Sequence, residues 1–254
     1  MALVRAPRFY LDQALAVSTQ VELPAPVAHH AHTVLRLRQG DAIVLFNGRG
    51  GEFTARLAGT LQADVIGFDP IEREPCLRIT LIQALAASDK IDWIIEKAVE
   101  IGVARVIVTA ALRSAVRLDP VRAPRRLQRW RELAIAACCQ CGRNRLVPIE
   151  ATASLDQALR AAGDAQHKWV LDPAAPHALA PAHAQAPDVA LAIGPEGGFD
   201  PAELASAEQA GFVRIALGPR ILRTETAGMV AAAAWLALNG EFSAQSADQG
   251  SSIR

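Results

Sequence analysis

The chain has 254 residues, half of them hydrophobic (51%) and a fifth charged (20%), enough for one large or two modest domains with real cores. It contains no run of 18 or more apolar residues, so no segment is expected to span a bilayer. The N-terminus, Met1-Ala-Leu-Val-Arg-Ala-Pro-Arg-Phe-Tyr, lacks the apolar stretch of a signal peptide. A cytoplasmic protein is therefore expected, with Cys76, Cys138, Cys139 and Cys141 as reduced thiols.

The first seventy residues read as a small β-rich module. Ala42-Ile-Val-Leu-Phe is a short apolar run closed by Asn47-Gly48, a pair that favours a type I′ hairpin turn, and Glu52-Phe-Thr-Ala-Arg-Leu alternates as a half-buried strand does. His29-His30-Ala-His32 invites a metal reading. No fourth ligand of suitable spacing follows, and ordinary loop or helix histidines account for it better. Two prolines and four charges in residues 69–76 predict a linker.

After the linker, strands and helices alternate. Residues 77–85 form an apolar strand and 89–101 a helix, with Ile91, Ile94, Ile95, Ala98 and Val99 on one stripe. Ser88 or Asp89 would cap that helix and Gly102 would end it. Strands are predicted at 105–109, 169–172, 189–194 and 212–217. Helices are predicted from 120 to about 138 and from 224, capped by Thr224, to 239. Such alternation implies a parallel sheet covered on both faces. Residues 173–187 read as a flexible connection or poor helix, and 243–254 as a disordered tail.

Charge is neutral overall but segregated. Residues 105–149 hold ten arginines against Asp119 and Glu132, a balance of +8, between segments of −2 and −6. Phosphate affinity follows local potential, so this stretch is either an RNA-binding strip or a solvated arginine-rich helix. Cys138-Cys-x-Cys141 at its end lacks a second pair or a nearby histidine, and buried small hydrophobes fit better than a metal site.

Two loops stand out. Ile193-Gly-Pro-Glu-Gly-Gly-Phe-Asp-Pro follows an apolar strand with three glycines and two prolines. Asp200 can then cap a helix that Pro201 opens. At the carboxyl end of a parallel strand it is either a ligand-binding wall or a tight strand-to-helix turn, and it matches neither the dinucleotide nor the P-loop pattern. Leu217-Gly-Pro-Arg-Ile-Leu-Arg-Thr-Glu-Thr-Ala also follows a strand and enters a helix, with Arg220 and Arg223 flanking Ile221-Leu222.

Together these loops resemble the ribosomal RNA small subunit methyltransferase E family of the SPOUT superfamily. The likeness extends over about residues 1–240. It includes Arg8-Phe-Tyr, His30 with Val34-Leu-Arg36, Asp92-Trp-Ile-Ile-Glu-Lys-Ala-Val-Glu-Ile-Gly-Val103, Arg129-Trp130 and Gln140-Cys-Gly-Arg143. Cys139 departs from the family's usual small or acidic residue. The resemblance implies a PUA-like RNA-binding β-barrel over residues 1–72 and an α/β SPOUT methyltransferase domain with a C-terminal trefoil knot over 73–242. It also implies a homodimer, S-adenosyl-L-methionine as cofactor, and methylation at N3 of one uridine in 16S ribosomal RNA of the small ribosomal subunit.

Leu171, Asp172, Gly194, Pro195, Glu196, Gly197, Gly198, Leu217, Gly218, Ile221, Leu222 and Thr226 are then expected to line the cofactor pocket. Arg223 would stabilise the uridine anion, unless it is held in a salt bridge by Glu225 or Glu196, and one of those two would take the N3 proton. Arg8, Arg36, Arg113, Arg117, Arg125, Arg126, Arg129, Arg143 and Arg145 are expected to contact RNA. Methyl transfer from a sulfonium calls for no metal. A non-catalytic RNA-binding or ribosome-assembly protein on the same fold, or a knotted methyltransferase with another RNA target, are the alternatives.

Overall fold

Apolar residues at alternating positions build the first sheet. In the computed structural model, which describes residues 6–117, 119, 121–163, 165–180 and 187–242, the chain groups into two compact units. One comprises the residues up to Glu74 together with Gln128–Pro148. The other comprises Pro75–Leu127 and the chain from Ile149 onward.

The first unit is a curled five-stranded sheet of β1 (Arg8–Tyr10), β2 (Gln20–Glu22), β3 (Ala42–Phe46), β4 (Glu52–Leu57) and β5 (Gln62–Asp69), in the order β1-β3-β4-β5-β2. Phe53, Ala55 and Leu57 of β4 point inward with Leu45, Val65 and Phe9. A register shift between Thr54 and Ala55 curls the strand pair. Helix α1 (Ala25–His29) runs into a π-helical turn, His30–Val34. There His30 meets Phe9 edge-on at 5.9 Å, and His32 Nδ1 lies 2.9 Å from the Leu37 carbonyl, so these histidines have packing roles.

The expected two-residue hairpin at Asn47-Gly48 is instead a five-residue connection with Gly48, Gly50 and Gly51 in left-handed conformations. A side chain at Gly50 would begin 2.2 Å from Glu72 Oε1 and 2.6 Å from Arg145 Nη2, so the loop's course follows the Glu72–Arg145 pair beneath it.

The second unit holds a seven-stranded, all-parallel sheet. Its strands are β6 (Arg78–Ala84), β7 (Arg105–Thr109), β8 (Ile149–Thr152), β9 (His167–Leu171), β10 (His177–Ala178), β11 (Asp188–Ile193) and β12 (Val213–Ala216). Their order is β10-β12-β9-β11-β6-β7-β8. The central strands are buried along most of their length and largely apolar, because helices cover both faces. Those helices are α2 (Ser88–Ile101), α4 (Leu155–Ala161), α5 (Pro201–Gln209) and α6 (Thr224–Leu238); α3 (Ala123–Cys141) is divided between the two units at Leu127.

Gly102 ends α2 in the left-handed conformation, as its position predicts. The start differs. Ala87 is the N-cap without a side-chain bond, and the Ser88 hydroxyl accepts a hydrogen bond from Arg126 instead. Asp200 and Glu203 form a reciprocal capping box on α5. Strand β12 lies beyond β9, yet α6, which follows it, packs on β11, β6 and α2. Residues 217–223 must therefore cross back over the ends of β9 and β11. The expected tail, 243–254, lies outside the described residues, as do 181–186 of the connection before β11.

Candidate active site

The carboxyl ends of β9, β11 and β12 open into a cavity of about 370 Å³ in the second unit. Parallel strands carry their following loops to one edge, so residues far apart in sequence meet there. Leu171, Asp172, Gly194, Pro195, Glu196, Gly198, Leu217, Gly218, Ile221, Leu222 and Arg223 line it. Of the residues expected at the pocket, Gly197 and Thr226 do not line it. Gly197 packs on Arg113, whose Cβ is 3.4 Å from where a glycine Cβ would be.

Lys90, Pro173, Ile193 and Ile215 also line the cavity, although sequence reasoning did not place them there, while Arg220, Thr224 and Ala227 line it from the second loop and its helix, the segment the sequence marked as a wall. Ile193 and Ile215 were within reach, since each ends or nearly ends a predicted strand. Lys90 offered no such signal, being on another helix about a hundred residues away.

Main-chain atoms and apolar side chains form most of the walls. Leu171, Ile193, Ile215, Leu217 and Leu222 supply flat hydrocarbon. Gly198 and Gly218 are left-handed, and a Cβ at either would meet nothing within 4 Å. Open space thus lies directly against bare backbone there, as close approach by a ligand requires. Gly194 differs: a Cβ would lie 2.9 Å from the Phe199 amide nitrogen, because the loop folds tightly on itself.

Thr224, expected to cap α6, does something else. It is the first helical residue, and Arg223 is the N-cap. The Thr224 hydroxyl donates to the Gly194 carbonyl (2.6 Å) and accepts from Gln83 Nε2 (2.9 Å), tying the second loop to the first across a buried glutamine. Asp172 is also committed to its neighbours: Oδ2 pairs with Arg214 (2.7 Å to Nε) and Oδ1 accepts from the Ala174 amide (2.9 Å).

The charged groups at the rim are arranged around Lys90 rather than Arg223. Lys90 Nζ is 3.1 Å from Glu196 Oε1 and 3.5 Å from Glu225 Oε2. The Arg223 guanidinium reaches only 4.0 Å from Glu225 and has 83% of its side-chain surface exposed. Burial opposes the Glu196 charge. Bonds from its own amide, Lys90 and the Ala87 amide nevertheless hold its carboxyl below the ordinary range, which makes it a weaker proton acceptor. The Glu196 bond holds the Lys90 ammonium above its ordinary value.

The expected RNA-contacting arginines divide sharply. Arg36, Arg113, Arg117, Arg125, Arg129 and Arg145 are exposed, and Arg126 is half-buried. Arg113 braces the first loop through Asp200 Oδ2 (3.0 Å), and Arg145 pairs with Glu72 (3.1 Å).

Arg8 and Arg143 are internal to the first unit, contrary to expectation. Their side chains are 6% and 5% exposed and are ion-paired with Glu52 and Glu74 respectively. Arg8 also donates to Asn144 Oδ1 (2.6 Å), and Arg73 joins Glu52 (2.8 Å) and the Gly142 carbonyl (2.8 Å). The Gln140–Arg143 motif and the charged linker are therefore partners in one buried ionic brace. Burial of a guanidinium demands such pairing and removes it from phosphate contact.

A family model described as an RNA methyltransferase domain matches residues 72–236, and one described as an RNA methyltransferase PUA domain matches residues 23–65. A parallel α/β sheet with two glycine-loop walls, together with a curled PUA-type sheet, defines an RNA methyltransferase of the SPOUT fold. Ribosomal RNA small subunit methyltransferase E of Mycobacterium tuberculosis is 33% identical over 257 residues, covering 94% of this chain and 95% of the relative. That of Bacillus subtilis is 30% identical over 218 residues, covering 81% and 85%.

The Neisseria gonorrhoeae ribosomal RNA small subunit methyltransferase E, solved bound to S-adenosyl methionine, is 35% identical with a TM-score of 0.84, covering 94% of this chain and 100% of that one. A Legionella pneumophila methyltransferase solved with SAM is 33% identical with a TM-score of 0.86, covering 93% and 99%. The chain belongs to the ribosomal RNA small subunit methyltransferase E family.

Proposed function

We propose that the protein transfers the methyl group of S-adenosyl-L-methionine to N3 of one uridine in 16S ribosomal RNA of the small subunit. The observation that carries this reading is the cavity between residues 194–198 and 217–223, where bare backbone and flat apolar walls meet. The donor set suits the cofactor: hydrocarbon for the adenine ring, main-chain amides and carbonyls for its edges. Leu171, Gly194, Gly198, Leu217, Gly218, Ile221 and Leu222 would hold it, with Asp172 shaping the floor. When bound, the cofactor supplies an activated methyl on a sulfonium.

The chain's own residues then align the nucleophile and lower the cost of its charge. Uridine N3 must lose its proton to attack. Arg223 would stabilise the resulting anion, a role supported by its open guanidinium at the N-cap of α6. Glu196 or Glu225, both beside Lys90 and on opposite walls of the cavity, would take the N3 proton. The exposed arginines between 113 and 129, with Arg36 and Arg145, would hold phosphate. Residues 1–72 would serve as the RNA-holding module and 73–242 as the catalytic one.

Homodimer formation belongs to the same reading. It is supported by apolar side chains left exposed on the mutually packed helices α2 and α6, Trp93 and Val230, and is testable by light scattering. The protein should act in the cytoplasm, where small subunits are made.

The test is incubation with labelled cofactor and 30S subunits from a strain lacking the enzyme, followed by digestion. N3-methyluridine is expected. Its absence would overturn the substrate assignment, and label on another base would leave only the fold and cofactor standing.

A further inference from the structure

Glu196 and Glu225 come from different walls of the cavity, one from the loop after β11 and one from the first turn of α6. Both face the same cation, Lys90 on the first turn of α2. The Ala87 amide, at the cap of α2, adds a contact to Glu196 Oε1 at 3.4 Å. Glu196 is thus gripped by a helix start and a lysine together, while the same lysine reaches across to α6. The Lys90 side chain is 26% exposed, that of Glu225 18% and that of Glu196 36%, so the Glu225 pair is partly shielded and loses less to screening, whereas the Glu196 pair is nearer an open surface pair.

The arrangement has an electrostatic consequence. Without Lys90, the nearest cation to Glu225 is Arg223, already 4.0 Å away on a neighbouring residue. Two unneutralised carboxylates would draw that guanidinium inward. With Lys90 in place Glu196 is hydrogen-bonded and Glu225 is ion-paired, although Glu225 Oε2 receives no hydrogen bond, and the guanidinium stays open to solvent at the cavity mouth.

We propose that Lys90 is a positioning residue that clamps the two walls of the cofactor pocket together through Glu196 and Glu225 and thereby leaves Arg223 free for substrate. The inference rests on the cofactor reading above and adds to it a residue outside both glycine loops. It adds to the Thr224–Gly194 bond, which also ties the loops. Arginine at 90 keeps the charge and the reach; methionine keeps the bulk and removes the charge.

The test is direct cofactor binding by calorimetry, without RNA, on the full chain. Wild-type protein is expected to bind S-adenosyl-L-methionine, and Lys90→Met to bind it about tenfold more weakly, the sum of one partly shielded pair and one more open pair. Lys90→Arg should recover most of that loss. Glu196→Gln should also weaken binding, and the Lys90→Met/Glu196→Gln double variant should be little worse than Lys90→Met alone, because the two share one interaction. Thermal melts of Lys90→Arg and Glu196→Gln, each retaining hydrogen-bonding capacity, separate a local effect from loss of fold.

Wild-type affinity in Lys90→Met, or losses that simply multiply in the double variant, would overturn the clamp and leave the cofactor reading intact. Failure of the wild-type protein to bind the cofactor would overturn both.

Discussion

Glu52 shows how a single buried charge is kept. Burial alone would raise its pKa, but hydrogen bonds from Arg73 and Arg8, with their charges, pull it down to about 2. Its folded-state value thus lies below the ordinary 4.5, so the stabilisation it brings is complete above pH 4.5 and disappears as pH falls towards 2. Glu52→Gln strands two arginines and should cost roughly 3 kcal/mol at pH 7 by urea unfolding. It should also flatten the loss of stability between pH 4.5 and 2, and coincident curves for the two proteins would show that the pairing contributes nothing. A second residue-scale expectation concerns Gly194. Its Cβ would strike the Phe199 and Gly198 backbone, at 2.9 and 3.1 Å, which cannot swing aside as a side chain does. Gly194→Ala should therefore weaken cofactor binding at least about tenfold, equivalent to the ~1.4 kcal/mol that a modest loop displacement costs, as measured by titration.

At the scale of elements, α5 is held at its start by a carboxylate with two duties. Glu203, 9% exposed, accepts from the Asp200 amide (2.9 Å) and from the Leu112 amide (2.8 Å), so it caps its own helix and anchors the loop after β7. Glu203→Ala should cost about 1–3 kcal/mol because two part-buried amides lose their acceptor, whereas Asp200→Ala should cost about 1 kcal/mol as an ordinary cap. Denaturant midpoints of the two variants would rank them, and equal losses would mean that the Leu112 contact carries no weight. The Asp200 cap was legible because it stands directly before Pro201, while Glu203's half of the box came only with the structure. The Leu112 contact was not legible, because nothing local joins residue 112 to residue 203. The Thr224 misreading has the same origin: a threonine at a helix start reads as a cap until a carbonyl and a glutamine from two distant strands claim its hydroxyl.

For the whole molecule, the distribution of arginines matters more than their number. The +8 segment suggested a continuous basic strip, but its members have separate fates. Arg117 and Arg125 face solvent, while Arg143 lies inside the first unit against Glu74. Replacing Arg117 or Arg125 should lower the salt slope of RNA binding by about one each, with stability little changed. Replacing Arg8 or Arg143 should instead destabilise the protein, because Arg8 is one of the two arginines that neutralise Glu52 and Arg143 is the partner of half-buried Glu74. A salt slope unmoved by Arg125→Ala would remove the phosphate role assigned to it.

Local rules placed most strands and helices of the parallel sheet, since periodic apolar runs and glycine stops act over a few residues. They also marked both glycine loops, whose composition no ordinary packing requires. The sequence by itself thus determined the class of fold, the family and ten of the cavity's backbone-rich positions, from Leu171 to Leu222. Only the tertiary structure decided which charges face water, which hydroxyl caps and which ties, and that Lys90 rather than Arg223 takes the two carboxylates. Those outcomes depend on residues brought together by a parallel sheet and a crossing connection. Burial and pairing are properties of that assembled neighbourhood, and no spacing along the chain encodes them.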